Sequence, residues 1–402
     1  MCDYTSSEAS QLAKRLIRFI REELYPERET IGLHEPSFTG NEKAYLIDAI
    51  DSTFVSSVGK YVDRFEQMVA DYTGVARAVA TVNGTAALHA ALHLVGVGPG
   101  DLVITQPLTF VATANAIKYC GADPVFVDVD EDTLGLSPEA AASFLRAQCT
   151  KDDSGKVIHN PSGRRVAACV PMHTFGLPMR IAELMELCND WNLPVVEDAA
   201  ESLGSFVGTQ HTGGFGTLGI LSFNGNKTIT TGGGGMIITN NVELAKRAKH
   251  ITTTAKQPHA WEFFHNELAF NHRLPNLNAA LGCAQMEELH AKLKEKEIIA
   301  ERYRELITGK PSPQSEYRVV EPRMGTRANN WLNAVRCPRR EDRDHLLTEL
   351  NNAKIMARPI WELMYRLPMY SHAITAPCPV AESLVDTVFN LPSWPVATGS
   401  AS

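Results

Sequence analysis

The 402-residue sequence contains no C-x-x-C pair, although it has eight cysteines. Paired cysteines at that spacing are the usual signature of a structural zinc site or a redox motif, so neither is predicted. Scattered cysteines in a chain of this length are more often reduced, buried thiols than disulfides. We therefore expect no metal site and a reduced, cytoplasmic protein.

Three further absences exclude classes of protein. No cluster of lysine and arginine stands out in a chain with a formal net charge of −8, so nothing indicates a nucleic-acid partner. No apolar run is long enough to cross a bilayer, so no contact with a membrane is expected. The first thirty residues mix basic and acidic side chains and lack the apolar centre of a signal peptide, so secretion is not expected.

Strand-like and helix-like patterns alternate from residue 41 onward. Short apolar segments at 76–81, 102–105, 124–129, 167–171 and 194–197 are separated by longer segments with helical spacing. Such alternation predicts an α/β fold with a mainly parallel central sheet that is covered by helices on both faces. Ligands of these folds bind beyond the carboxyl ends of the strands, so polar motifs at those ends are the candidates for chemistry.

The chain is predicted to have three regions. Apolar residues recur at helical spacing before Pro26, so residues 1–30 are expected to form a helical arm. Residues 31–275 contain the alternating pattern and would form the large domain. Residues 276–402 would form a long linking helix, over 277–308, and a smaller α+β C-terminal domain.

One lysine lies in a run of uncharged, glycine-rich sequence. Lys227 ends the string SFNGNK, which follows a predicted strand, and four glycines occupy 232–235. A lysine that attacks a carbonyl must be held rigidly and partly desolvated, and these surroundings favour that role. An isolated lysine would more often be a surface residue of a hairpin. The glycine spacing fits neither a P-loop nor a dinucleotide-binding turn, so a nucleotide loop is rejected.

An aspartate ends another predicted strand. The string VVEDAAE places Asp198 where a β-branched strand meets small residues, so its carboxyl group is expected to point into the ligand crevice. There it could keep a pyridine nitrogen protonated and make the ring an electron sink. A metal-binding or helix-capping aspartate explains the pattern about equally well.

Two strand-to-helix junctions could bind a flat, phosphorylated ligand. In VNGTAAL, the turn at Gly84 and Thr85 leads into a helix, whose first N–H groups would cradle a phosphate. In TFVATANAI, Phe110 could stack on an aromatic ring. Taken alone, the first pattern is also that of a helix cap without a ligand, and the second is that of a core phenylalanine. The order of cradle, aromatic, aspartate and lysine along one α/β chain is more informative than any single motif.

That order resembles the fold-type I pyridoxal-phosphate (PLP) enzymes and, more narrowly, the DegT family of nucleotide-sugar aminotransferases. The resemblance covers about residues 31–395 and includes the strings VNGTAALHAAL, VVEDAAESLGS, SFNGNKTITTGGGGM and FNHRLPNLNAALG. Within the family, the strings LHEPSFTGNE, HTFG and RPIW resemble the legionaminic-acid (LegC) branch. The resemblance implies the fold of a fold-type I PLP-dependent transferase and pyridoxal 5'-phosphate as the cofactor.

The resemblance also implies roles for residues at matching positions. Lys227 would hold the cofactor as a Schiff base, and Asp198 would pair with its pyridine nitrogen, so both would be catalytic. The remaining cofactor contacts would come from Gly84, Thr85, Phe110, Glu201, Ser222 and, across a homodimer interface, Asn271. Substrate contacts would come from His173 and Arg273. Lys256, in the loop before Arg273, is a further candidate because a pyrophosphate needs cationic contacts. Many relatives carry glutamine or histidine in place of Glu201, which leaves its role open.

The implied reaction is a transamination in two halves. Glutamate would give its amino group to the cofactor, and the 4-keto group of a nucleotide-linked 6-deoxy sugar would then receive it, with UDP as the expected carrier. Lys227 would move the proton as general base and acid. One alternative is an amino-acid transaminase or lyase of the same fold, for which Arg358 could clamp a carboxylate. A non-catalytic sugar-binding regulator is the other, and intact Lys227 and Asp198 disfavour it.

Overall fold

The computed structural model describes residues 7–309 and 316–395. The helices are α1 (Ser7–Phe19), α2 (Glu42–Asp51), α3 (Lys60–Thr73), α4 (Gly84–Leu94), α5 (Val111–Tyr119), α6 (Pro138–Gln148), α7 (Ile181–Asp190), α8 (Val242–Thr252), α9 (Asn276–Glu287), α10 (Leu289–Thr308), α11 (Arg340–Asn352) and α12 (Pro379–Thr387). A π-helical turn, Ile20–Leu24, extends α1, and short 3-10 turns lie at Thr174–Gly176, Met364–Arg366 and Pro368–Tyr370.

The strands of the large region are β1 (Arg77–Thr81), β2 (Leu102–Thr105), β3 (Asp123–Phe126), β4 (Cys149–Lys151), β5 (Val157–His159), β6 (Arg164–Val170), β7 (Val196–Asp198), β8 (Phe206–Val207), β9 (Gln210–His211), β10 (Leu218–Ser222) and β11 (Gly235–Thr239). The later strands are β12 (Arg318–Val319), β13 (Thr326–Arg327), β14 (Asn333–Arg336), β15 (Arg358–Pro359), β16 (Ile374–Thr375) and β17 (Val388–Leu391).

The central sheet has two halves, in the orders β1-β11-β10-β7 and β16-β3-β2-β6-β5-β4. Parallel bridges from Cys169 to Val195 and from Met172 to Asp198 join the end of β6 to β7, so the halves continue into one another. Strand β11 runs antiparallel to both of its neighbours, whereas β10 with β7, β2 with β6, and β2 with β3 pair in parallel. The predicted α/β fold with a mainly parallel sheet is confirmed.

Alternation along β2 shows why the strands are apolar throughout. Leu102 and Ile104 lie in a core with α6 and α7, whereas Val103 lies in a core with α4, α5 and α8 on the opposite face. Successive side chains of a strand point to opposite faces, so burying both faces needs an unbroken apolar run. The carboxyl ends of the strands are left as the edge where polar residues can gather.

The C-terminal region forms a second, smaller sheet in the order β12-β14-β17-β15. Helix α1 packs onto this region, since Leu12, Leu16 and Ile20 share a buried core with Leu346 and Leu350 of α11. The apolar stripe that predicted the helix is therefore the face that it buries. The domain limits at 30/31 and 275/276 stay predictions.

The prediction of one long helix over 277–308 is wrong. Glu288, with φ −92° and ψ −3°, separates α9 from α10. The two helices contribute to different cores: α9 packs beside α3 in the core of the large region, and most of the buried face of α10 lies in the core that contains α1 and α11. The apolar pattern continues across the junction, so it gave no sign of the break. Helices α8 and α12 were not predicted. Strands β4 and β5 pair antiparallel as a hairpin before β6.

The seven cysteines within residues 7–309 and 316–395 are free thiols. No group of three or more metal-binding side chains occurs there. No helix in the same ranges is long and apolar enough to cross a membrane.

Candidate active site

A cavity of about 200 Å³ opens at the carboxyl ends of β1, β7 and β10. The sequence predicted eight cofactor-binding residues, and seven of them line this cavity: Gly84, Thr85, Phe110, Asp198, Glu201, Ser222 and Lys227. These residues are separated by up to 143 positions in sequence, but the parallel strands bring their carboxyl ends to one edge. The structure therefore gathers the predicted motifs into one site.

The amino end of α4 forms one wall of the cavity. Asn83 caps the helix, since its side chain accepts a hydrogen bond of 2.8 Å from the backbone N–H of Ala86. The first N–H groups of a helix have no partner within the helix and carry partial positive charge, so they bind anions. A Cβ at Gly84 would lie 3.0 Å from Cβ of Ser222, so glycine lets the end of β10 approach the helix closely. Backbone donors and the Ser222 hydroxyl thus line one concave surface.

Asp198 lies at the end of β7 with its carboxyl group held in place. Its Oδ2 accepts a hydrogen bond of 2.7 Å from the Thr113 hydroxyl, and its Oδ1 accepts one of 3.2 Å from the N–H of Ala200. Burial raises the pKa of Asp198, and these hydrogen bonds and the charge of Lys227 offset part of that rise. A buried carboxylate of this kind gains most from a cationic partner such as a protonated ring nitrogen.

Lys227 pairs with a second buried carboxyl group. Its Nζ lies 3.1 Å from Oε1 of Glu201, and Oε2 of Glu201 accepts a hydrogen bond of 2.9 Å from the N–H of Phe175. Burial raises the pKa of Glu201, and the charge of Lys227 lowers it in part. The ring of Trp331 lies on another side of the amine, with its centroid 3.9 Å from Nζ. The amine is therefore fixed between a carboxyl group and an aromatic face.

The prediction that His173 contacts substrate needs correction. The side chain of His173 is fully buried and does not border the cavity. Its Nδ1 accepts from the N–H of Met179 at 3.3 Å, and its Nε2 donates to Oε2 of Glu197 at 3.0 Å. Both ring nitrogens are thus satisfied inside the protein. His173 supports the site from below, next to Asp198, instead of facing a ligand.

Glu197 was not predicted, although it precedes Asp198 in the same strand. Its carboxylate accepts hydrogen bonds from the backbone N–H groups of Gly213, Phe215 and Gly216 at 2.6–2.8 Å. A buried carboxylate with this many donors is well satisfied. It ties β7 to the loop before β10 and so fixes the register in which Asp198 is presented. The sequence shows two adjacent acidic residues at the end of a strand, but it does not indicate which of the two carboxylates faces the ligand.

A loop far along the chain completes the wall around Lys227. Nδ2 of Asn329 donates to the carbonyl oxygens of Glu201 and Leu203, at 2.8 and 2.9 Å. Nε1 of Trp331 donates to the carbonyl oxygen of Asn226 at 2.7 Å. These residues were missed because nothing in the string NNWLN predicts which segment it will contact a hundred residues earlier in the chain.

A larger cavity of about 730 Å³ adjoins the first one. The two cavities share Phe110, Glu201, Asn224 and Lys227. The wall of the larger cavity is formed mostly by apolar and aromatic side chains, among them Phe175, Trp331, Leu332, Ile360 and Trp361. Arg358 adds a cation to this wall. Lys227 consequently lies at the junction between a polar cavity and a roomier, largely apolar one.

Three predicted residues lie elsewhere. Asn271, Arg273 and Lys256 are absent from the linings of both cavities. Oδ1 of Asn271 instead accepts a hydrogen bond of 2.9 Å from Nε of Arg273. Nζ of Lys256 lies 3.8 Å from the centre of the Phe263 ring. Within one chain, the structure does not bring these three residues to the site.

The smaller cavity fits PLP by the chemistry of its donors. The end of α4 and Ser222 offer neutral donors to a phosphate, Asp198 offers a carboxylate to a ring nitrogen, and Lys227 offers an amine to an aldehyde. Phe110, half exposed, offers a ring face at the mouth. When bound, PLP supplies an electron sink that stabilises negative charge on a substrate carbon.

Comparison with known families gives a match over most of the chain. Residues 36–401 match the model of the DegT/DnrJ/EryC1/StrS aminotransferase family. The chain is 37% identical over 371 residues to a GDP-perosamine synthase of Vibrio cholerae, a match that covers 91% of this chain and 94% of that protein. It is 30% identical over 348 residues to a UDP-N-acetyl-3-dehydro-alpha-D-glucosamine 3-aminotransferase of Acidithiobacillus ferrooxidans, with 86% of each chain covered.

A solved structure has the same fold. The aminotransferase TlmJ from Streptoalloteichus hindustanus superimposes with a TM-score of 0.81 at 27% sequence identity, over 91% of this chain and 94% of that chain. The agreement of sequence and fold extends over both the central sheet and the C-terminal region.

Proposed function

The chain belongs to the DegT/DnrJ/EryC1/StrS aminotransferase family, whose enzymes depend on PLP, and on that premise we propose that it aminates the 4-keto group of a nucleotide-linked 6-deoxy sugar. Glutamate is the proposed amino donor. UDP is the proposed carrier, because the sequence resembles the legionaminic-acid (LegC) branch of the family. The observation that carries the proposal is the position of Lys227, whose side chain borders both cavities.

The residues of the smaller cavity are proposed to hold the cofactor. The amino end of α4 and Ser222 bind its phosphate, Asp198 binds its ring nitrogen, and Phe110 covers the ring. Glu201 keeps the amine of Lys227 at the junction through the contact of 3.1 Å. With PLP bound, the Nζ amine of Lys227 would move a proton between the substrate carbon and the C4′ carbon of the cofactor, acting first as general base and then as general acid.

The size and lining of the larger cavity support a sugar as the amino acceptor. Apolar ring faces such as those of Trp331 and Trp361 pack against the C–H faces of a pyranose, and Arg358 offers charge to an anionic part of either substrate. The same arginine would serve the carboxylate of glutamate in the first half of the reaction. If amino acids were the substrates of both half-reactions, a cavity of this volume beside the amine of Lys227 would not be needed.

GDP is the second candidate for the carrier. The relatives of Vibrio cholerae, Escherichia coli O157:H7 and Caulobacter vibrioides that match at 35–37% identity are GDP-perosamine synthases. A relative at 30% identity acts on a UDP-linked 3-dehydro sugar. The names of the relatives therefore favour a nucleotide sugar and leave the carrier and the position of the keto group to experiment.

The active unit is proposed to be a homodimer with shared sites. Asn271 is exposed and borders neither cavity of its own chain, as expected of a residue that completes the phosphate site of a partner subunit. Exposed apolar side chains on the described surface, among them Phe54, Val58, Phe110, Trp261 and Phe263, offer area for such contact. Lys256 and Arg273 would then reach the partner's substrate from the same surface.

One assay tests the reaction and its substrate class. Purified enzyme with PLP and glutamate is given keto sugars linked to UDP, GDP or dTDP, and 2-oxoglutarate is followed. We expect release of 2-oxoglutarate with a UDP-linked 4-keto-6-deoxy sugar and none with Lys227→Ala. Turnover of only the GDP-linked sugar would overturn the choice of carrier. Turnover of simple 2-oxo acids with no response to any nucleotide sugar would contradict the proposal itself.

A mixing experiment tests the shared site. Lys227→Ala and Asn271→Ala are each expected to be inactive, because each removes one part of the same composite site. After equal mixing, about half of the dimers are hybrids, and each hybrid has one of its two sites with both native residues. Mixing is therefore expected to restore about a quarter of the wild-type activity. Mixtures that stay inactive after subunit exchange is shown by mass spectrometry would contradict shared sites.

A further inference from the structure

Two polar residues border the larger cavity with hydrogen-bonding atoms left unused. Neither ring nitrogen of His34 has a hydrogen-bond partner among the described residues, and the same holds for Oδ1 of Asn390. Both residues are buried, with exposed fractions of 9% and 2%. A buried donor or acceptor without a partner destabilises the folded state, so native proteins leave few of them. Two such residues on one cavity indicate partners that come from a ligand.

The two residues belong to one stretch of the cavity wall. The carbonyl oxygen of Leu33 accepts a hydrogen bond of 3.1 Å from the N–H of Ser393, so the segment before α2 lies against the chain just after β17. Asn390 in β17 pairs with Arg358 in β15. His34 and Asn390 are therefore carried by neighbouring backbone segments that are fixed by main-chain hydrogen bonds.

The surroundings of His34 determine what it can bind. Burial lowers the pKa of His34 well below its ordinary value, and the nearby charges of Lys296, Lys227 and Lys292 lower it further. A neutral imidazole has one N–H donor and one acceptor nitrogen, and the side-chain oxygen of Asn390 adds an acceptor. This set carries no net charge. It is suited to a neutral partner and not to a phosphate or a carboxylate.

We propose that His34 and Asn390 recognise a neutral substituent on the sugar ring that both donates and accepts hydrogen bonds, a secondary amide or a hydroxyl, and so determine which sugars are accepted. The inference rests on the proposed function and makes its substrate more specific. Arg358, on the adjoining strand β15, binds the anionic part of the substrate. His34 and Asn390 then form hydrogen bonds with the substituent on the sugar ring.

The test compares three UDP-linked 4-keto-6-deoxy sugars that differ at one ring carbon, which bears an acetamido group, a hydroxyl or a hydrogen. The wild-type enzyme is expected to have a kcat/KM about 10- to 100-fold higher for its preferred polar sugar than for the hydrogen-bearing one, since about 1.4 kcal/mol corresponds to a factor of ten. Comparison of the acetamido-bearing sugar with the hydroxyl-bearing sugar shows which of the two substituents is recognised.

Two substitutions at His34 and one at Asn390 complete the design. His34→Leu and Asn390→Leu are expected to reduce the preference to within about threefold, with little change for the hydrogen-bearing sugar. His34→Gln keeps a donor and an acceptor, and is expected to retain most of the preference. Dissociation constants of the aminated products, measured by calorimetry, should show the same pattern. Melting temperature and the absorbance of bound cofactor report whether each variant is folded and loaded.

The outcomes separate this inference from the function on which it rests. Equal kcat/KM for the three sugars in the wild type would overturn the assignment of His34 and Asn390. The assignment would also be overturned if a folded, PLP-loaded His34→Leu enzyme lost kcat/KM by the same factor on every sugar. A residue that binds one substituent affects only the sugar that carries that substituent. Absence of turnover with all three sugars and with their GDP-linked counterparts would contradict the proposed function instead.

Discussion

The two adjoining cavities differ in whether their buried polar groups have hydrogen-bond partners within the protein. In the smaller one, Asp198 is bonded to Thr113, and Glu201 is bonded to Lys227. In the larger one, His34 and Asn390 have atoms without a partner among the described residues. Groups that are satisfied by the chain are already oriented before a ligand arrives, whereas unsatisfied groups take their orientation and their partner from the ligand. The comparison indicates a preorganised cofactor cavity beside a cavity that selects its ligand.

The same comparison applies to electrostatics. Burial raises the pKa of both carboxyl groups in the smaller cavity, Asp198 and Glu201, so the chain keeps two acids where water solvates them poorly. Such groups are costly for the folded state and are typical of functional sites. In the larger cavity, burial lowers the pKa of His34 and so favours the neutral imidazole. The smaller cavity thus contains two buried carboxyl groups beside an amine, and the larger one adds two neutral hydrogen-bonding side chains, His34 and Asn390.

The largest effect is expected at the junction of the cavities. Lys227→Ala and Lys227→Arg should each lower kcat by more than about 10⁴-fold, because proton transfer is lost and arginine stays charged and cannot act as a neutral amine. Steady-state rates measure the loss, and circular dichroism verifies the fold. Either variant within 100-fold of the wild type would mean that the amine is not the group that links the two cavities.

The next largest effect is expected at the ring-nitrogen position. Asp198→Asn should lower kcat by about 10²- to 10³-fold, since a preorganised charge is removed while the hydrogen bond from Thr113 can remain. Asp128→Asn is the matched control: Asp128 is also buried, but it accepts from the N–H groups of Val380 and Ala381 and borders neither cavity. Equal losses in the two variants would show a general effect of burial and remove Asp198 from the chemistry.

A smaller effect is expected from the aromatic wall of the larger cavity beside Lys227. Trp331→Leu should lower kcat/KM by about 2- to 30-fold more than Trp331→Phe does, because a cation over an aromatic face gains about 0.5–2 kcal/mol. Both variants lose the hydrogen bond to Asn226, so their difference isolates the ring beneath Nζ of Lys227. If Trp331→Phe and Trp331→Leu lose the same factor in steady-state assays, the ring face contributes nothing to holding the amine.

The smallest effect is a change in stability with pH. The folded protein raises the pKa of Asp198 above its ordinary value of 3.8, so between these two values the folded state binds more protons than the unfolded state. The stability of the cofactor-free wild type should therefore fall, relative to Asp198→Asn, as pH rises above about 3.8. Urea unfolding of both proteins between pH 4 and pH 7 measures the difference. A difference that stays constant, or that changes in the opposite direction, would contradict the raised pKa.

Much of the site could be predicted from local sequence, because each motif combines a strand end with a residue of distinctive chemistry. Asp198 ends a buried strand, and Gly84 and Lys227 lie in the turns that follow two others. Parallel strands bring such positions to one edge. The central sheet could be predicted for the same reason: its strands are buried on both faces, and their apolar runs differ clearly from the helical spacing between them.

The remaining features depend on contacts that no local pattern encodes. His173 was expected to face the substrate, and its burial against Glu197 could not be read from the string HTFG. Trp331 and His34 come from segments far from Lys227 in sequence, and only the packing of the C-terminal region against the large one brings them to the cavities. The break at Glu288 reflects the two cores that the flanking helices join, not a local helix-stop signal.

Lys227 is proposed to hold PLP covalently where the two cavities meet. Reduction of the loaded enzyme with borohydride, followed by digestion and peptide mass mapping, detects such a bond. We expect a cofactor-derived mass increase on the peptide that contains Lys227 and none in Lys227→Ala. An unmodified Lys227 peptide, with the label on another lysine or on none, would show that Lys227 is not the residue that carries the cofactor.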